Sequence, residues 1–247
     1  MPPQTDPADP TEASAQAPVQ GVAGETAPDG RRSAAAARRR AREAEIIRAT
    51  RDLFDQRGVR DAQIEDIARA VGINRAIVYR HFTGKEEIFA LTLVDYLEEL
   101  RAALVAADPT QADATERLRA VVSAFVAYGV RHPAFVDCAH ALMRRRGPEL
   151  FDEISESAMF RLGRAMAGAM GPVRQLLEDG TAAGAFAVED STLLANMLYG
   201  IGLGALQLAH VGVLVAETSP GVPTVGTVSP DQVRDHLVTA ALALAKG

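Results

Sequence analysis

The residues with the clearest chemical purpose are Asn74, Arg75, Ala76, Ile77, Tyr79, Arg80 and His81. They close the stretch IEDIARAVGINRAIVYRHF, Ile64 to Phe82. A guanidinium such as that of Arg75 can bond a guanine edge twice, and an aliphatic side chain such as Ile77 can meet a thymine methyl. Spacing places them. Ile64, Ile67, Ala68 and Val71 fall at i, i+3, i+4 and i+7 and line one face of a first helix. Gly72 can take the positive φ that a sharp turn demands, and Asn74 stands where a side-chain oxygen caps the next helix. In that helix Val78 and Phe82 share one face, while Arg75, Tyr79 and Arg80 point elsewhere. Two inward anchors and a cationic outer face make a short helix fit to enter a major groove. The pattern predicts a helix-turn-helix.

The flanks agree. Upstream, Ala41 to Gly58 reads as one amphipathic helix with Ile46, Ile47, Thr50, Leu53 and Phe54 as its apolar stripe and Gly58 as its stop. Downstream, Thr83 and Glu86 stand in capping-box spacing for a helix that starts at once. This unit resembles the DNA-binding domain of the TetR family of repressors. The matching residues are Leu53-Phe54, Arg57-Gly58, Ile67-Ala68, Val71-Gly72-Ile73, Tyr79-Arg80-His81-Phe82 and Lys85-Glu86-Glu87. The likeness runs from Ala41 to about Leu100 and departs at Ala62-Gln63, where the family usually opens its second helix with Ser or Thr. The resemblance implies an all-α fold, with a three-helix DNA-binding domain followed by a larger helical domain for ligand binding and dimerisation. It also implies phosphate contacts from Tyr79, Arg80 and Lys85, with Gln63 and His81 at the same interface.

Charge is distributed to match. Residues 1–30 carry five acidic and no basic side chains, residues 31–85 fourteen Arg or Lys against seven Asp or Glu, and the remainder twelve against twenty. A chain of net charge −6 with one basic segment has a local nucleic-acid footprint rather than a general affinity for polyanions. Residues 1–30, rich in Pro, Ala, Thr and Gly, read as a disordered tail without a secretory signal pattern. Arg38, Arg39, Arg40 and Arg42 read as a basic arm able to follow a minor groove. The expected division is 1–37 as tail with the start of the arm, 38–84 as DNA-binding domain, and 85–247 as regulatory and dimerisation domain. The lone Cys138 excludes an intrachain disulfide and suits a cytoplasmic location.

Beyond the DNA-binding unit the chain reads as helices near Lys85–Ala107, Ala112–Arg131, Ala134–Arg145, Glu149–Met170, Val173–Ala183, Ser191–Val215 and Pro230–Lys246. Breaks are expected at Asp108-Pro109, His132-Pro133, Gly147-Pro148 and Gly171-Pro172. Residues 216–229 read as a loop, and no segment shows strand periodicity. Leu193 to Ala216 lacks charge for 24 residues, long enough to cross a bilayer. Asn196, Gln207 and His210 interrupt it, however, and acidic residues flank it, so no membrane span is assigned. Asn196, Gly200, Gly204, Leu208 and Gly212 recur every four residues as a flat strip where a second helix can approach. In the TetR family the last two long helices pair across a two-fold axis. The resemblance therefore assigns this strip to a homodimer interface, with either Val173–Ala183 or Pro230–Lys246.

No metal-ligand spacing, nucleophile elbow or phosphate loop is present, so neither metal nor cofactor is expected, and Asp137, Cys138 and His140 read as ordinary helix residues. Phe125, Tyr128, Phe135, Met143, Phe151, Met159, Met166 and Tyr199 are large, adaptable side chains suited either to a ligand pocket or to core filling. Gln207 and His210 are polar groups inside an apolar helix that could orient a ligand or bond across a dimer. The reading reached is a cytoplasmic, homodimeric, non-enzymatic repressor that a small apolar ligand releases from an inverted-repeat operator in double-stranded DNA. The alternative keeps the DNA binding and replaces the ligand with a protein partner or a chromosome-marking role.

Overall fold

A computed structural model describes residues 27–59 and 63–247. Its described residues fall into two units that meet in sequence between Arg39 and Arg40. Helix α1 (Ala27–Arg57) begins earlier than expected, so residues 27–37 are helical rather than a disordered tail. The rest of the expected tail, 1–26, lies outside the described residues, as does Ala62. The run SAAAARRRAREAE explains the early start: Ala and Arg are strong helix formers and nothing in it breaks a helix.

Within residues 40–247, Ile46, Ile47, Thr50, Leu53 and Phe54 of α1 are buried, the stripe expected from spacing. Helix α2 (Ile64–Val71) opens at Gln63, whose N–H donates to the Asp66 carboxylate at 3.3 Å. The acid at the third helical position thus does part of the work that a Ser or Thr would do. Gly72 ends α2 at φ 72°, and Ile73 N–H closes back to Ala68 O at 2.9 Å. Helix α3 (Arg75–His81) starts with Asn74 Oδ1 accepting from Ile77 N–H at 3.0 Å. Val78 and Phe82 are buried beneath it.

Helices α4 (Lys85–Ala107), α5 (Ala114–Arg131), α6 (Pro133–Met143), α7 (Gly147–Glu153), α8 (Glu156–Ala182), α9 (Ser191–Val211) and α10 (Pro230–Lys246) follow. Helix α4 runs from the helix-turn-helix into the core, where it packs on α5, α6 and α8. Three expectations fail here. The helix expected over Glu149–Met170 is two, divided at Ile154-Ser155, where Ser155 Oγ caps α8. Gly171-Pro172 does not break α8. A mid-helix proline costs about 3 kcal/mol, but α8 buries Ala165, Ala169, Met170, Leu176 and Leu177, each large side chain contributing about 1.5–3 kcal/mol.

The third failure is at residues 213–227, expected as helix end and loop. They form a hairpin of β1 (Val213–Ser219) and β2 (Val222–Thr227), with Val215 paired to Val225. Pro220-Gly221 makes its turn, with Gly221 at φ 80°. The strand signal lay in the Val- and Thr-rich runs on either side of that Pro-Gly. Helix α9 meets the length and composition of a membrane span, yet it packs against α5, α6, α8 and α10, with Ala195, Leu198, Tyr199, Gly202, Leu203 and Leu206 buried.

Candidate nucleic-acid interface and regulatory cleft

Helix α3 turns Val78 into the core and leaves Arg75, Ala76, Tyr79 and Arg80 exposed, with Ile77 half-buried beside them. Arg75 is already oriented. Its Nη1 donates to Glu65 Oε1 at 2.7 Å, its Nη2 to Tyr79 Oη at 3.3 Å, and its guanidinium lies 5.2 Å from the Tyr79 ring centre. A guanidinium held in plane by two partners loses less freedom when it meets a base or phosphate. Gln63 and Asn74 flank this face as the caps of α2 and α3.

Three expected contacts are placed differently. His81 is turned inward, its Nδ1 3.5 Å from Glu43 of α1 and its side chain only 15% exposed, so it braces α3 against α1. The Lys85 ammonium sits 5.0 Å from the Phe89 ring centre. To hold a phosphate it must swing away from that ring. Arg38, Arg39 and Arg40 are exposed residues of α1 rather than a flexible arm before it.

Two polar joints connect the helix-turn-helix to the helices behind it. At one, buried Glu87 accepts from the Thr83 N–H and the Ser155 hydroxyl, and the single Thr83 hydroxyl proton is shared between Glu87 and the Glu153 carbonyl, the latter 2.9 Å from Thr83 Oγ1. The expected Thr83–Glu86 capping box is absent: Gly84 caps α4, and Glu86 instead pairs with Arg145 at 3.0 Å. At the other, Arg51 of α1 grips Glu99 of α4, and Tyr96 Oη donates to Asp55 at 2.7 Å. Burial and the neighbouring Asp55 carboxylate push the Tyr96 phenol well above its ordinary range, so it stays a donor.

The residues offered as pocket-lining do not share one pocket. Phe125, Tyr128, Phe135 and Tyr199 pack edge to face, with ring centres 5.5–6.4 Å apart, and fill the core. The apolar cavity beside Phe125 and Tyr199 holds only about 40 Å³, room for a few waters at most. Phe151 is 69% exposed, Met143 is exposed and Met159 half-buried, while Met166 lines a shallow groove with Asn196. Met chains and aromatics at helical spacing were core and surface, not a cage.

Gln207 is the exception. It lines a cavity of about 230 Å³ between α5, α6, α9 and the start of α10, with Asp137 and His210 as its other polar groups and Val130, Pro133, Val136 and Leu206 among its walls. Asp137 and Gln207 also line an adjoining, more open groove of about 540 Å³ that reaches Phe89 and Lys85 of α4 and includes His140, Met143 and Arg144. Cys138 is fully buried on the same helix, and burial pushes its thiol well above the usual range, so it offers no ready thiolate.

Residues 46–91, from the buried stripe of α1 through α3 into α4, match the model described as bacterial regulatory proteins, tetR family. Residues 46–91 therefore form a TetR-type DNA-binding domain. Relatives of the chain include the transcriptional activator FasR of Mycolicibacterium smegmatis, 31% identical over 34% of this chain and 38% of that protein. The transcriptional repressor NicS of Pseudomonas putida is 30% identical over 57% of this chain and 64% of that protein. The nucleoid occlusion factor SlmA of Vibrio cholerae is 29% identical over 47% and 64%. The chain thus spans between about two fifths and two thirds of the length of these curated relatives. Among solved structures, RolR in complex with resorcinol superposes with a TM-score of 0.62 at 20% identity, covering 85% of this chain and 90% of that one. FadR of Bacillus subtilis in complex with stearoyl-CoA gives 0.55 at 16%, covering 83% and 97%. These likenesses show the fold: all-α, with an N-terminal helix-turn-helix and a larger C-terminal domain.

The strip of α9 faces outward. A Cβ added at Gly200 or Gly204 would meet open space, and Asn196 and Leu208 are exposed along with Leu193, Met197, Ile201 and Val211. Gly202, one residue from the strip, faces Phe125 instead. Asp137 and His140 read as ordinary helix residues in the sequence, whereas His210 stood out there with Gln207. Their signal was polar pairs three residues apart, Asp137/His140 and Gln207/His210, on two otherwise apolar helices.

Proposed function

We propose that this TetR-family regulator is a homodimeric, cytoplasmic repressor that holds an inverted-repeat operator through two copies of α3 and leaves it when a small, largely apolar ligand enters the cleft beside Gln207. The division of labour follows: 38–84 binds DNA, and 85–247 dimerises and senses. The observation that carries the reading is that the cleft runs from Asp137 and Gln207 to Phe89 and Lys85, on the helix that continues directly from the helix-turn-helix. A ligand seated there touches the element whose orientation sets α3, so its binding energy can shift the population of DNA-competent dimers.

The test begins with DNA retained by the purified protein from random fragments. Sequencing should return a two-fold symmetric site, and fluorescence anisotropy on that site should show affinity at least a thousandfold above random DNA. Retention without sequence preference overturns the reading. The match to a nucleoid occlusion factor supports a second reading, in which the DNA-bound protein answers a protein partner. Under that reading, metabolite fractions leave operator binding untouched while a protein fraction alters it.

A further inference from the structure

We propose that the cleft between α6 and α9 takes a compact organic cation, an ammonium group on an apolar body about the size of one aromatic ring. This rests on the ligand-responsive reading above and specifies its chemistry.

Asp137/His140 on α6 and Gln207/His210 on α9 are each spaced i, i+3, so each pair lies on one side of its helix. The two helices pack together, and the four side chains line the adjoining cavities between them. None of the four has a hydrogen-bond or ion-pair partner among the described residues. That is unusual for the half-buried Asp137, His140 and Gln207 on apolar helices, and together with the exposed His210 it leaves their bonding capacity for something that enters.

Charge selects the entrant. In the inner cavity Asp137 is the one acidic side chain, and no Lys or Arg lines it. A carboxylate facing apolar walls without a counter-ion attracts a cation and repels an anion, and the apolar surroundings strengthen both effects. The cations that line the outer groove are Lys85, turned onto the Phe89 ring, and Arg144, and neither lines the inner cavity. An ammonium has three donors. Asp137 can take one, and the Gln207 carbonyl and a ring nitrogen of His210 can take the others. Size sets the body: an apolar cavity of about 150 Å³ accepts benzene, and this one measures about 230 Å³, enough for one ring and a short chain against Val130, Val136 and Leu206.

The experiment compares three probes of one shape, phenethylamine, 2-phenylethanol and 3-phenylpropanoate, by calorimetry on the full chain at neutral pH. The amine should bind at least tenfold tighter than the alcohol, and the propanoate should not bind. Asp137→Asn should bring the amine down to the level of the alcohol, and Gln207→Leu, which keeps the side-chain volume, should weaken the amine about fivefold. The melting temperature of each variant without ligand checks folding, and Gln207→Leu carries the test alone where Asp137→Asn does not fold. Equal or tighter binding of the alcohol or the propanoate, an unchanged amine affinity in both variants, or no binding by any probe overturns the proposal. Operator release by the alcohol or the propanoate, with the amine inert, sinks the cation and leaves the ligand-relieved repressor standing. Failure of every metabolite fraction to release operator sinks that wider reading as well.

Discussion

Arg51 and Glu99 form a two-pronged ion pair, Nη1 to Oε1 at 2.7 Å and Nη2 to Oε2 at 2.5 Å, that fastens the first helix of the DNA-binding unit to α4. The same guanidinium lies 4.4 Å from the ring centre of Tyr96, whose carbonyl accepts from Tyr128 Oη at 2.8 Å. Glu99 is half exposed, so the charge pair itself contributes under about 1 kcal/mol. The cation–π contact adds a similar amount. Arg51→Ala should therefore cost about 2 kcal/mol and Glu99→Gln less than half of that, read from urea midpoints at unchanged slope. Equal losses would mean that Tyr96 contributes nothing to holding Arg51.

The same joint sets the acid limb of stability. Burial first, and then the Arg51 charge, lower the pKa of His132, whose ring packs 4.6 Å from that of Tyr128. The folded chain keeps this imidazole neutral where the unfolded chain would protonate it. Stability from His132 is thus fully present above the ordinary histidine pKa of about 6.5, and it is lost as pH falls toward the lower folded value. Glu99 is held below the usual carboxylate range, chiefly by its bond to Arg51. Its contribution persists above an unfolded value near 4.5 and disappears in stronger acid. Denaturation midpoints between pH 7 and 5 should fall for the wild type and less steeply for His132→Gln. Glu99→Gln should change the slope only below that window. A His132→Gln slope identical to the wild type would show that this imidazole does not report on folding.

Glu87 should matter more than its neighbour. It is buried and accepts from Thr83 twice and from Ser155. Removing a buried charged acceptor forfeits bonds of about 1.5–3 kcal/mol each, partly offset by the lost desolvation cost. Glu87→Ala should lower stability by about 3 kcal/mol and weaken operator binding, because the residue just after α3 loses its anchor. Glu86→Ala removes only a partly exposed ion pair with Arg145 and should cost under about 1 kcal/mol. Matching melting curves for the two variants would sink this assignment.

That contrast shows where the sequence was readable. Spacing identified the buried stripe of α1, both caps of the turn and the outward face of α3, because each follows from one helix's own periodicity. Which of two adjacent glutamates turns inward depends on Ser155, 68 residues away, and no local pattern encodes it. The failure at Pro172 has the same origin: a local breaker was outweighed by burial along α4. The hairpin was legible in its Pro-Gly turn but hidden by the apolar run of α9 leading into it. The aromatic residues offered as a pocket were consistent with packing from the outset. The cleft itself forms where α6 and α9 meet, and Asp137 and Gln207 belong together only once those helices pack.

Base reading and phosphate holding should separate by mutation. Arg75→Ala should lower operator affinity by about 1–3 kcal/mol with little effect on random DNA. Lys85→Ala should weaken both alike and reduce the salt slope by about 1. Glu65 occupies Arg75 at 2.7 Å in the free protein. Glu65→Gln should therefore alter operator affinity only while Arg75 is present, a coupling that a double-mutant cycle in anisotropy titrations would measure. Affinity losses shared equally by operator and random DNA in Arg75→Ala would remove it from base reading.

Gly204 offers the sharpest test of the dimer, because its surroundings within one chain are empty. A Cβ there meets nothing, so Gly204→Leu should leave the folded chain intact and even gain helix propensity of up to about 1 kcal/mol. In a two-fold dimer the strip of Gly200, Gly204 and Leu208 must face its own copy, and a leucine where close approach is required should drive the helices apart. Sedimentation should show monomers, circular dichroism an unchanged helical spectrum, and operator affinity should collapse although no DNA-facing residue has changed. One recognition helix makes few contacts, and two rigidly spaced ones gain from effective concentration. Gly202→Leu is the control. Its Cβ would stand 2.5 Å from the Phe125 ring, so it should unfold the core and not simply separate subunits. A Gly204→Leu chain that sediments as a dimer and binds operator normally would exclude this strip from the interface and point to the exposed face of α10.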